Sequence, residues 1–321
     1  MARFVAYDRG AARLGYGPDT FATAFPAFQS AELARAYPDF YHESPHNLFL
    51  DALVSGGIGG GLWVLAWIGL GTYAGLRAMR GPTRAVAAAL LAGLAATVVA
   101  HQFIVFIIPT GFLFLLGVGL LANLESSAVP TTAPPRPWMA VPAAVALIFL
   151  LAACRLGAAD FRLARVRTDL DAGNFAAAAE HWTEARHSSL GSDLYFARRW
   201  MALAAQSAPA MQRLQVSQFA LDAARTATTN FEQPHNAWYN LAMLEAAAND
   251  PAAVEASLRS AIAAAPTWYK PHWTLARYFK LRGRLTEAQK EARIALDLNA
   301  LHDTEVTATM EEILRSPAVT P

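Results

Sequence analysis

The chain has 321 residues, 26 of them basic and 25 acidic, for a net charge of +1; 55% are hydrophobic, 16% are charged, and mean hydropathy is +0.25. So even a charge balance excludes electrostatic nucleic-acid binding as the main activity, and so apolar a composition excludes a disordered chain. The average conceals two halves: residues 1–155 carry nine Arg, no Lys and seven acids, whereas residues 156–321 carry 17 basic and 18 acidic side chains. A single cysteine, Cys154, rules out an intrachain disulfide.

Residues 1–57 read as an extracytoplasmic loop segment. Its first 16 residues are charged and lack a continuous apolar core, so no cleavable signal peptide is expected there. Its densest chemistry is the string Tyr41-His42-Glu43-Ser44-Pro45-His46-Asn47. From His42 to His46 this spells H-E-x-x-H, which in zinc peptidases sets two imidazoles on one helical face. Pro45 argues against that use. Inside the required helix it would cost about 3 kcal/mol, and it biases Ser44 toward extended backbone, so no bound metal is expected.

Residues 58–124 hold three expected transmembrane helices. The first, 58–76, is 19 residues without a formal charge, which at about 1.5 Å per residue roughly matches a 30 Å hydrocarbon core. Arg77, Arg80 and Arg84 around Gly81-Pro82 form a basic turn expected in the cytoplasm. No Lys, Arg, Asp or Glu occurs over 85–124, enough for two short spans, with the outer break expected over 101–111 at Pro109-Thr110-Gly111. Residues 125–137, with their prolines and Arg136, read as a cytoplasmic linker. Residues 138–155 read as a fourth span that carries everything after it outward.

Residues 156–321 read as a helical repeat domain. Trp238, Leu241, Ala242, Ala261 and Pro266 fall at the offsets of a tetratricopeptide helix pair, and the next unit of a 34-residue period carries Leu275, Ala276, Phe279, Ala288, Ala292 and Ala295, again mostly small and apolar. Ala220, Ala224 and Ala227 place a looser unit earlier, and Gly173-Asn174 followed by Ala178, Trp182 and Ala185 a further turn and helix. Such pairs are stable by stacking and are expected to form a curved α-solenoid. Trp238, Tyr239, Trp268, Tyr269 and Trp273 are either a ligand-stacking groove or packing at helix junctions, with packing the simpler reading.

Two further histidines, His42 and His101, are expected at surface or interfacial positions. Leu151-Ala152-Ala153-Cys154 imitates a lipoprotein cleavage box, but it follows three apolar runs and is read as accidental.

The set His46-Asn47, Leu50, Gly57 and Gly60, leading directly into an apolar span, resembles the carboxy-terminal signature of the O-antigen ligase and polymerase superfamily. Gly15-Tyr16-Gly17-Pro18 and Phe21 are similar to that family's G-x-G-x-x-x-F element. The resemblance covers residues 15–123 and implies an all-α polytopic membrane protein, here followed by the tetratricopeptide-like solenoid. It implies a glycosyltransferase that moves a glycan from a polyprenyl-diphosphate carrier to a hydroxyl of a lipid or protein acceptor. His46 matches the family's essential loop histidine, with Asn47, Arg3 and Arg9 as weaker substrate-binding candidates and no metal or other cofactor. The implied partners are the membrane, the lipid-linked donor, the acceptor and a protein on the repeat domain; nucleic acid is not among them. The implied location is the bacterial inner membrane, multi-pass, with the repeats extracytoplasmic. The many amino-terminal spans of the family have no counterpart here, so the chain is expected to be the carboxy-terminal part of such an enzyme. The alternative is a non-catalytic, membrane-anchored scaffold whose repeats recruit a partner.

Overall fold

A computed structural model describes residues 13–18, 20–39, 42–125, 140–185, 193–206, 210–229 and 233–317. The protein is all-α, with no strand among the described residues. The chain divides into two compact units, residues 1–30 with 39–131, and residues 31–38 with 132–321.

In the first unit, α1 (Phe21–Ala24) and a 3-10 turn (Phe25–Phe28) precede three apolar helices. These are α3 (Leu48–Ala78), α4 (Arg84–Ala100) and α5 (Ile108–Glu125). Their mutual packing is built from small residues. Ala74, Ala78 and Ala87 are buried with Leu94, Phe114, Val118 and Leu121, and a β-carbon on Gly75 would collide with the Leu91 side chain. The large apolar side chains point outward instead: Ile58, Leu62, Trp63, Leu65, Leu70, Phe112 and Leu113 are all exposed. An apolar exterior around a small-residue seam is the arrangement suited to lipid rather than water.

Helix α3 is broken at Gly57, whose φ of 59° and ψ of −152° are far from helical. The break is sharp. In a straight helix Ala52 and Gly60 lie about 12 Å apart along the axis, yet a β-carbon on Gly60 would stand 2.2 Å from the Ala52 carbonyl oxygen. The segment before the break is therefore folded back on the segment after it, which begins at Ile58, the first residue of the expected 58–76 span. This also accounts for the Leu48 N–H reaching the His101 carbonyl at the end of the much shorter α4, at 2.7 Å.

The second unit begins with α2 (Ala31–Ala36) and continues with α6 (Ala140–Asp171). Helix α6 changes environment along its length. Val145, Leu147, Ile148, Phe149, Leu150 and Leu151 are exposed, whereas Ala159, Leu163, Val166 and Leu170 form a buried stripe at helical spacing. The helix does not stop where charge begins near Arg155, because that stripe continues its apolar periodicity against α7 (Phe175–Ala185). Among the described residues two helices are long and apolar enough to cross a membrane, α3 and, over 144–171, α6. Helices α4 and α5 are apolar but only 17 and 18 residues long.

Beyond α7, helices pack in pairs: α8 (Asp193–Gln206) with α9 (Ala210–Thr229), α10 (Pro234–Ala247) with α11 (Pro251–Ala264), and α12 (Tyr269–Leu281) with α13 (Leu285–Asn299). Helix α14 (Thr304–Arg315) closes the end, burying Val306, Met310 and Ile313. The alanines selected by the 34-residue period, Ala242, Ala261, Ala276, Ala288, Ala292 and Ala295, are fully buried, as are Ala220, Ala224 and Ala227. The turns repeat as well. Gly173, Asn249 and Gly283 each adopt positive φ, and the following amides of Asn174, Asp250 and Arg284 bond back to the carbonyls of Asp169, Glu245 and Phe279 at 2.8–3.0 Å. That is one Schellman-type turn used three times, with Asn tolerated where glycine is otherwise needed. Two buried polar pairs link neighbouring helices: Ser257 donates to Glu245, and His272 Nδ1 meets Glu291, each at 2.7 Å. Helix α2 also belongs here: Ala34 is buried in the α12–α14 core, and Arg35 donates to Asp297 of α13 at 2.9 Å.

Candidate functional site

The segment His42–Pro45 is irregular rather than helical, as the restriction that Pro45 imposes on Ser44 requires. The His46 N–H donates to Ser44 Oγ at 3.1 Å, and His46 itself takes a left-handed φ of 50°. A β-carbon makes that conformation costly, so the surrounding turn must hold it. The consequence is an exposed imidazole one residue before the cap of an apolar helix.

Asn47 is that cap. Its Oδ1 accepts from the Phe49 and Leu50 amides, each at 3.1 Å, satisfying two of the free N–H groups of the first turn. Its Nδ2 donates to Gln102 Oε1 at 3.0 Å, while Gln102 Nε2 donates to the Val98 carbonyl at 2.9 Å. Every amide orientation in this chain is fixed by its neighbour: the Val98 carbonyl can only accept, so Gln102 must present oxygen to Asn47. Asn47 thus ties the head of α3 to the end of α4, and its amide is engaged there rather than with the His46 ring.

The two other tempting histidines differ from each other. His42 is half-buried, with its ring edge-on to Phe25 at 5.3 Å. Burial, and secondarily the nearby His46, lowers its pKa below the ordinary 6.5, which keeps its ring neutral at pH 7. His101 was expected at a surface or interface, but it is only 4% exposed. Its Nδ1 lies 2.8 Å from the Thr97 carbonyl. Since a carbonyl can only accept, Nδ1 carries the proton and Nε2 presents a buried lone pair, for which no hydrogen bond exists among the described residues. Burial comes from Phe106, whose ring stands edge-on at 5.0 Å.

The glycine element docks on the break in α3. The Tyr16 amide donates to the Val54 carbonyl at 2.7 Å and the Gly17 amide to Ser55 at 3.0 Å, which supplies partners to carbonyls of the last turn before Gly57. The approach leaves no room for side chains: a β-carbon on Gly15 would meet Ser55 backbone at 2.4 Å, and one on Gly57 would meet Arg13 backbone at 2.5 Å. Phe21 is buried nearby and stacks on Phe25 at 4.8 Å. The G-x-G stretch, Phe21, the His46-Asn47 pair and the glycine pair are therefore parts of one unit. Arg13, exposed beside the break, did not enter the sequence reading; its only signal was proximity to Gly15. Arg3 and Arg9 lie outside the described residues.

The aromatic set in the repeats is mainly junction packing. Tyr269 is buried, Trp238, Tyr239 and Trp273 pack against the helix-pair cores, and Trp268 contacts the rings of His235 and Tyr239 at 5.3 and 5.1 Å. Among the described residues no group of three or more His, Cys, Asp or Glu is placed to hold a metal ion. No protein-family model matches the chain, and no curated protein matches it.

Proposed function

We propose that the chain is the carboxy-terminal part of an O-antigen ligase-like glycosyltransferase, crossing the membrane four times and carrying a tetratricopeptide-like solenoid on its outer side. The observation that carries this reading is the exposed His46 imidazole, held by a strained backbone at the head of an apolar helix that the glycine element braces. In the reaction, His46 accepts the proton of the acceptor hydroxyl as its oxygen attacks the sugar carbon bonded to the carrier. The carbon–oxygen bond to the diphosphate breaks, and its electron pair leaves on the polyprenyl diphosphate. An imidazole suits the first task, and cations the second; Arg13 joins Arg3 and Arg9 as a candidate for the latter.

The contact of α2 with α13 supports the four-span arrangement. A residue before α3 that packs into the repeats requires an even number of crossings between them, which α3, α4, α5 and α6 together provide. The test is a cell-based glycan transfer assay with His46→Ala, supplemented with any missing amino-terminal half. Transfer is expected to be lost while the protein still reaches the membrane. Unchanged transfer sinks the reading and leaves the anchored scaffold.

A further inference from the structure

We propose that the arginine-bearing stretch of α6, with the cleft beside it, binds an anionic phospholipid. The proposal rests on the reading that α6 crosses the membrane. From Ala144 to Cys154 the helix is apolar and exposed all round. Arg155 then opens the charged stretch, and Arg162, Arg165 and Arg167 follow within the next four turns, all exposed. Arginines at this point stand where a helix leaves hydrocarbon and meets headgroups.

Among the described residues no ion pair reaches any of the four, and the acids that follow are already engaged, Asp169 with His181 and Asp171 with Arg199. Asp160 is the one carboxylate within the stretch, and no arginine lies three or four residues from it, the spacing at which helical side chains meet. Four guanidinium groups against one carboxylate leave a net positive patch.

The patch has a cavity to go with it. A cleft of about 530 Å³ between α6 and α8 is lined by Leu156, Asp160, Leu163, Arg167, Tyr195 and Phe196 among others. Leu156, Asp160, Leu163 and Arg167 share one helix face over about 16 Å of rise. Along that face the cleft runs from Leu156 past the Asp160 carboxylate and Leu163 to the Arg167 guanidinium, which is the end that meets a phosphodiester. Arg165, stacked 4.6 Å over the exposed Phe161 ring, holds a further guanidinium on the opposite side of the helix.

The test uses the full chain in neutral detergent, titrated with dioleoyl phosphatidylglycerol, dioleoyl phosphatidylcholine or inorganic phosphate, with bound lipid counted by native mass spectrometry and stability followed by thermal unfolding. Phosphatidylglycerol is expected to bind and stabilise at least tenfold more tightly than phosphatidylcholine. The R162Q/R165Q/R167Q variant loses that preference by about fivefold per charge removed, and R162K/R165K/R167K keeps most of it. Equal binding of both lipids, equal stabilisation by free phosphate, or an unaffected glutamine variant overturns the proposal. Alkaline carbonate extraction of cell membranes separates the two levels: release of wild type refutes the membrane reading itself, whereas retention without lipid preference refutes only the lipid site.

Discussion

The Asn47 side chain has two roles, capping α3 and linking it to Gln102, and the two can be separated by substitution. Asn47→Ala removes both and is expected to cost about 1 kcal/mol for the cap and a comparable amount for the link. Asn47→Asp keeps the cap oxygen and loses only the donor, so its loss is the smaller; thermal unfolding in detergent measures both. In the repeats, His235 is buried against Trp268, and burial, with Arg198 nearby, lowers its pKa to about 4. The folded chain holds this ring neutral while the unfolded chain protonates it below 6.5, so unfolding takes up a proton between those values. The stabilisation is complete above pH 6.5 and is lost as the pH falls toward 4, at up to about 1.4 kcal/mol per unit. His235→Phe should flatten that part of the stability profile; an unchanged slope would contradict the assignment. At this scale the candidate histidine was legible in sequence, because Pro45 and the adjoining cap leave their mark locally. The burial of His101 was not, since it depends on Phe106 and on α3 reaching the end of α4.

At the scale of elements, the break in α3 is the feature on which the loop's arrangement depends. Gly57→Ala places a β-carbon in a left-handed conformation and against Arg13 backbone, and Gly60→Ala drives one into the Ala52 carbonyl. Each is expected to destabilise the first unit by about 2 kcal/mol or more, whereas Gly59→Ala, whose β-carbon would meet nothing within 4 Å, should be tolerated. Thermal unfolding of the three variants gives the comparison, and equal losses would refute the folded-back geometry. The sequence offers glycine at positions 56, 57, 59, 60 and 61, and any of them could host a break. Docking of residues 13–17 selects Gly57. Helix α6 teaches the converse lesson. Its first charge suggested an end near Arg155, but Leu163, Val166 and Leu170 carry the same helix onward into a different environment.

For the whole molecule, the prediction concerns topology. A reporter enzyme active only outside the cytoplasm should work when fused after Arg167 and fail when fused at Gly81; the reverse pattern would overturn the proposed orientation. Both fusions active, or both silent, would remove the proposed arrangement of spans between them. In the proposed four-span arrangement an even number of crossings separates Arg167 from the loop carrying His46, so the first fusion point reports on that loop as well.

Local chemistry was enough to determine the all-α class and the repeat alanines. Charge is excluded from lipid, small residues are required wherever helices cross closely, and both constraints recur at fixed spacing along the chain. Only the tertiary structure decided which glycine breaks α3, that the G-x-G stretch caps that break, that Asn47 is tied to Gln102, and that α2 belongs with the repeats. Each of these joins residues far apart in sequence through backbone groups or shape, and a hydrogen bond from one carbonyl to a distant amide imprints no pattern on the residues between them.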